Sequence, residues 1–169
     1  RHAAVKLDTF SKHLRSHGIT TVTVDSVFRF PSLLTTGATC FVPGGTPVVQ
    51  LPPGTVTPAH AAALLLRLHG CGCSFHTMQA ASFWYTGNLL AVDDPLQLYK
   101  RPGTAAYRDR ITDVIRIGKV LGLQDEAILT LQRVYLSGCR PGDRESLARL
   151  LAALSPSVDN TPVKEQDRH

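Results

Sequence analysis

Residues 57–70, TPAHAAALLLRLHG, decide how the rest of the chain can fold. Thr57 suits an N-cap, Pro58 the first helical position, and Gly70 lies where the last turn should stop. Between them AHAAALLLRLH is apolar nearly all round. A helix without a polar face has to be interior. The stretch therefore predicts one buried helix in the middle of the chain, running beneath strands.

Upstream, residues 31–58 alternate strand-like runs with punctuation. TTGA and PGGTP read as turns, TCFV and PVVQL as short strands, and PPGTVTP closes the segment. In ITTVTVDSVFRF, from Ile19, β-branched and aromatic residues alternate with Thr, Asp and Arg, which predicts one or two strands. Val5, Leu7, Phe10 and Leu14 recur at helical spacing before Gly18, predicting an amphipathic helix over Val5–His17.

Downstream, SFWY-TGN-LLAV predicts a hairpin turning at Gly87 and Asn88, with a helix over Phe75–Thr86 as the competitor. The character changes at Asp93. A polar connector, DDPLQLYKRPG, leads into helical patterns over about 105–121, 125–137 and 144–154. Asp125 and Asp143 can cap the last two, and Gly138 can end the second. The expected fold class is α+β: an N-terminal helix, a short-stranded antiparallel β-meander with one buried helix, then a helical part of about three helices. Residues 1–154 are expected as a single domain, β-rich over 1–92 and helical over 93–154, with 155–169 as a flexible tail.

Charge divides the chain along the same line. Net charge is +5, and 43% of residues are hydrophobic. Residues 1–31 carry five basic and two acidic side chains, residues 32–92 only Arg67, and residues 93–169 twelve basic and eleven acidic. A water-facing segment is normally studded with charge. The middle third is therefore expected to be core, covered in part by another chain. Its aromatics Phe41, Phe75, Phe83, Trp84 and Tyr85 are the expected interface residues, since charge depletion with aromatics marks an interface core. The longest purely apolar run, Ala61–Leu66, is too short to span a bilayer, and Arg1–Val5 does not lead into the apolar run of a secretory leader. With cysteines scattered at 40, 71, 73 and 139, an intracellular, reducing setting is expected, in cytoplasm or nucleus.

His69, Cys71, Cys73 and His76 form an H-x-C-x-C-x-x-H string of zinc-compatible ligands. Structural zinc sites usually join two short ligand pairs across a dozen or more residues, so four ligands within eight positions favour packing over coordination. No metal ligand and no cofactor is expected from this string. Cys40, in GATCFVPGG, runs into a turn instead of opening the helix that lowers a catalytic thiol's pKa, and it reaches His60, His69 or His76 only through the fold. No phosphate-loop, dinucleotide, nucleophile-elbow or HExxH pattern occurs, and residues 26–92 hold no carboxylate. No catalytic residue is assigned, and a Cys/His hydrolase or zinc-dependent module stays as the last alternative.

From Lys100 to Lys119 six cations stand against Asp109 and Asp113: Lys100, Arg101, Arg108, Arg110, Arg116 and Lys119. They predict contact with phosphates or an acidic partner, the bland alternative being a solvated face with local ion pairs. DVIRIGKVLGLQDEAILTLQRVY, within 111–135, resembles the helix-turn-helix pattern. Gly118 lies where the helices approach, Gly122 at the turn, and Ile128 and Leu131 as anchors. The resemblance implies nucleic-acid regulation, but the would-be reading helix opens with Asp125 and Glu126, which repel phosphate. The leading expectation is a non-enzymatic protein that assembles with itself or docks a partner, as viral coat or tegument-like proteins do by analogy. Its interface is region 32–92, with the basic helix adding backbone contacts to nucleic acid or an acidic partner.

Overall fold

The computed structural model describes residues 3–30, 35–41 and 44–155. Its architecture is α+β, with an N-terminal helix, small antiparallel sheets and three C-terminal helices. Among the described residues no helix is long and apolar enough to cross a membrane.

Helix α1 (Ala3–Ser16) buries Leu14 completely and stops at Gly18, whose φ of 72° lets Ile19 N–H reach back to the Leu14 carbonyl at 3.0 Å. Strands β1 (Thr23–Phe30) and β2 (Thr35–Phe41) form an antiparallel pair from Thr23↔Phe41 to Phe30↔Thr35, with a register shift between Val24 and Ser26. TTGA, read as a turn, is thus the start of β2. Backbone pairing with Arg29, Phe28 and Val27 outweighs the turn propensity of Gly37. β3 is only Thr46–Pro47, and PVVQL is not a strand: Val48–Gln50 make one 3₁₀ turn. Pro47 fixes φ at −55°, and Pro52 and Pro53 have no N–H to give a ladder.

Helix α2 (Pro58–Gly70) starts as its sequence demands. The Thr57 hydroxyl accepts the His60 N–H at 3.4 Å, and His60 Nδ1 accepts the Thr57 N–H at 3.1 Å. Gly70 remains inside the helix, and the left-handed residue after it is Gly72, at φ 82°. Short strands follow: β4 (Cys73–Phe75), β5 (Phe83–Tyr85), β6 (Leu90–Val92) and β7 (Leu98–Lys100). β5 and β6 are the expected hairpin, turning at Gly87 (φ 99°), and β3 pairs with the free edge of β5. β4 pairs with β7, Cys73 opposite Lys100. The strands are therefore dealt among three small sheets, β1–β2, β3–β5–β6 and β4–β7.

Helices α3 (Tyr107–Val120), α4 (Asp125–Gly138) and α5 (Pro141–Leu154) complete the described chain. Neither Asp125 nor Asp143 is an N-cap. Gln124 and Arg140 hold those positions, and both acids sit in the first turn, where they still favour the helix dipole. The α3–α4 hairpin closes as anticipated: a Cβ on Gly118 would lie 2.9 Å from Ile128 Cγ1 and 3.6 Å from Leu131. Helix α2 does not lie under a single sheet. It packs against α4 and α3 on one side and β4 and β6 on another. Ala61, Ala62, Leu65 and Leu68 are fully enclosed, each leucine contributing about 1.5–3 kcal/mol. Much of the described part of the charge-poor middle third is therefore this chain's own core. The tail from residue 156 lies outside the described residues.

Candidate functional site

The core carries a chain of polar groups that unites α2, α3, α4 and α5. Arg110 Nε donates to the Tyr135 hydroxyl at 2.8 Å, and that hydroxyl lies 2.7 Å from His69 Nδ1. His69 Nε2 lies 3.1 Å from Asp113 Oδ2, which also accepts the Phe75 N–H at 3.0 Å. The Asp113 carboxylate only accepts, so Nε2 carries a proton, and in the neutral ring Nδ1 then accepts the Tyr135 O–H, whose oxygen takes the Arg110 N–H. This is the neutral tautomer. Burial pushes the His69 pKa below its ordinary value, although the hydrogen bond and charge of Asp113 pull the other way. Burial likewise raises the Tyr135 phenol, against the pull of Arg110. Arg110 also reaches Cys139 Sγ at 3.1 Å and Asp143 at 3.4 Å, and Tyr107 O–H bonds Asp143 at 2.6 Å, holding that carboxyl below the usual range.

The neutral imidazole has a pH consequence. An unfolded histidine takes a proton near pH 6.5, whereas the folded one resists it, so the unfolded state binds more protons and stability falls as pH drops below that value. Urea midpoints measured between pH 7.5 and 5.5 are expected to decline, and to decline less steeply in His69→Gln. An equal slope in both proteins would refute the assignment.

Arg110 is consequently not a partner contact. It is 5% exposed and committed to the core. Its position was readable in principle, because Arg110, Asp113, Val114 and Ile117 share the buried face of α3. Arg108 and Lys119 are exposed and Arg116 is half-buried. Of the expected interface aromatics, Phe75 and Phe83 are core residues with ring centroids 5.7 Å apart. Trp84 and Tyr85 are half-buried: Trp84 Nε1 bonds Asp93 at 3.2 Å, and the Tyr85 ring meets His60 edge-on. The side chains of Phe41 and Cys40 lie outside the described residues.

The cysteine–histidine string does not converge. His69 belongs to the core network, and His76 Nε2 is 2.8 Å from the Leu96 carbonyl. Cys71 and Cys73 do come together, Sγ to Sγ 3.7 Å, and it is His13 of α1 that joins them, its Nε2 3.4 Å from the Cys71 carbonyl. The Cys73 thiol beside it, with His13 and His17, pulls the Cys71 pKa down to about 6, while Cys73 is pushed up. Cys71, Cys73 and Cys139 are unbridged thiols.

His13 also stands where two clefts meet. One, of ≈640 Å3, runs between α1 and β7 over an apolar floor of Val5, Phe10, Leu96 and Leu98, flanked by Lys6 and Lys100. The other, of ≈600 Å3, continues past His13, His17 and Cys71 to Lys100, Arg101 and Arg140. Among the described residues no carboxylate lines either cleft. Lys100 and Arg101 are thus the expected cations that the fold brings to one place, whereas Arg108, Arg116 and Lys119 line neither cleft. Lys6, His13, His17 and Arg140 add to them from elements distant in sequence.

No protein-family model matches the chain, and no curated protein sequence matches it. Solved structures do share its fold. One titled "WaaP in complex with acyl carrier protein" superposes with a TM-score of 0.52 over 86% of this chain and 70% of its own, at 16% identity. That likeness defines a fold class.

Proposed function

We propose that the chain is a binding module that docks an acidic, amphipathic segment of a partner protein in the groove between α1 and β7. The observation that carries this reading is the lining of the joined clefts: an apolar floor, including half-exposed Val5 and Leu96, walled by cations with no carboxylate among them. Such a groove attracts negative charge over distance and rewards apolar side chains on arrival. The similar structure whose title names acyl carrier protein as its partner is consistent with the reading at the level of fold alone. Self-association through region 32–92 has less to draw on, since β4, β6, Phe83 and the inward side of α2 are already enclosed. Among the described residues, Trp84, Tyr85 and exposed Val49 are aromatic or large apolar side chains it leaves for a second copy.

The test is a titration of a labelled leucine–glutamate helical peptide at low ionic strength. Charge reversal in Lys100→Glu/Arg101→Glu is expected to weaken binding at least tenfold, and added salt to weaken it in the unaltered protein. Arg108→Glu/Lys119→Glu, away from the groove, is expected to leave it unchanged. If this second pair abolishes binding instead, and duplex DNA competes, the basic face of α3 is the contact and the nucleic-acid reading replaces the groove.

A further inference from the structure

We propose that His13, Cys71 and Cys73 form a binding site for a soft divalent cation, zinc in the first instance, with a fourth coordination position opening on the groove. One ligand atom from each residue lies within 4.8 Å of the other two. The two sulfurs are 3.7 Å apart. A tetrahedral zinc with Zn–S bonds of about 2.3 Å requires about 3.8 Å between its sulfurs. The thiol pair is thus already spaced for the ion, and only the imidazole must advance, by rotation on half-buried His13.

The loop is built to hold that spacing. Cys71 follows the last residue of α2 and Cys73 opens β4, so the first sulfur is anchored to a helix and the second to a strand. Gly72 joins them at φ 82°, and its carbonyl accepts the Arg101 N–H at 2.8 Å. Two thiolates and one imidazole are a donor set that zinc prefers to magnesium or calcium. Binding releases to solvent whatever protons the two sulfurs still carry and leaves a neutral ion–dithiolate pair in place of two crowded sulfurs. Lys100, whose ammonium lies 3.4 Å from His13 Nδ1, is exposed on a flexible stem and swings aside. Three protein ligands with a free position facing a cleft make an open site, to which water or a donor group from the groove's occupant adds. The site stands on its ligand geometry and does not require a docked partner.

Cobalt(II) is the probe, added to the metal-stripped, fully reduced protein. One equivalent is expected to give a thiolate-to-cobalt charge-transfer band and tetrahedral ligand-field bands, both displaced by zinc. Cys71→Ser is expected to abolish the stoichiometric complex, His13→Ala to weaken it at least tenfold, and His76→Ala to leave it unchanged. Because Cys73 is fully buried, Cys73→Ser can fail to fold. X-ray absorption of the unaltered zinc-loaded protein supplies the same information, with two sulfurs and one imidazole expected. Absence of the bands in reduced protein, an affinity indifferent to His13→Ala, or a sulfur-only shell would each overturn the site.

Discussion

Replacing Asp113 by alanine is expected to destabilise the protein by about 2–6 kcal/mol, because it strands two buried donors at about 1–3 kcal/mol each. The donors are His69 Nε2–H and the Phe75 N–H, both now within 3.1 Å of one carboxylate oxygen. The other oxygen, Oδ1, is buried with no hydrogen-bond partner among the described residues. Deleting the carboxyl also removes that desolvation cost, which draws the net effect toward the lower end of that range. Against a domain stability of about 5–15 kcal/mol the loss is large. Urea unfolding reads it as a lowered midpoint at unchanged slope. Asp113→Asn keeps one amide oxygen for both donors but puts a buried NH2 without an acceptor where Oδ1 stood, and is expected to fall between. A loss below about 1 kcal/mol for the alanine variant would mean that the network does not brace the helices.

Gly72→Ala is expected to cost about 2–5 kcal/mol, the sum of about 1–2 kcal/mol for a left-handed alanine and about 1–3 kcal/mol for overpacking. At φ 82° its methyl group would press against the Arg101 carbonyl oxygen and lie 2.5 Å from that of Gly103. Those contacts are backbone, so relief requires moving β7 or the loop after it. Gly103→Ala is the matched control: its φ is 75° but a Cβ there meets nothing within 4 Å. Denaturant titration should show the Gly72 variant losing clearly more stability than the Gly103 variant. Equal losses would show that the turn is not clamped.

What the sequence disclosed and what it withheld follow from range. Helix α2 was legible because Thr57 and Pro58 act on neighbours within one turn, and the β5–β6 hairpin because Gly87 supplies the turn conformation locally. The α3–α4 hairpin was legible through Gly118 and Gly122 for the same reason. TCFV is legible as strand, but the first half of β2 is not, because pairing with β1, fixed elsewhere, holds Thr35–Ala38 extended. Arg110 was taken for a solvent cation because charge is normally outside. Its partners Tyr135, Cys139 and Asp143 stand 25 or more residues away, and nothing local announces them. His13 meets Cys71 across 58 residues, so the string at 69–76 drew attention to two histidines that stand apart from the thiols and concealed the one that joins them. The groove has the same origin: α1 and β7 are neighbours only in space.

Hydrogen–deuterium exchange with and without the acidic helical peptide maps directly where a partner sits. Docking between α1 and β7 predicts added protection in residues 5–17 and 98–104, with α3 and residues 44–60 unchanged. Protection confined to 108–119 or 44–60, with the α1 and 98–104 amides exchanging as in the free protein, would contradict it.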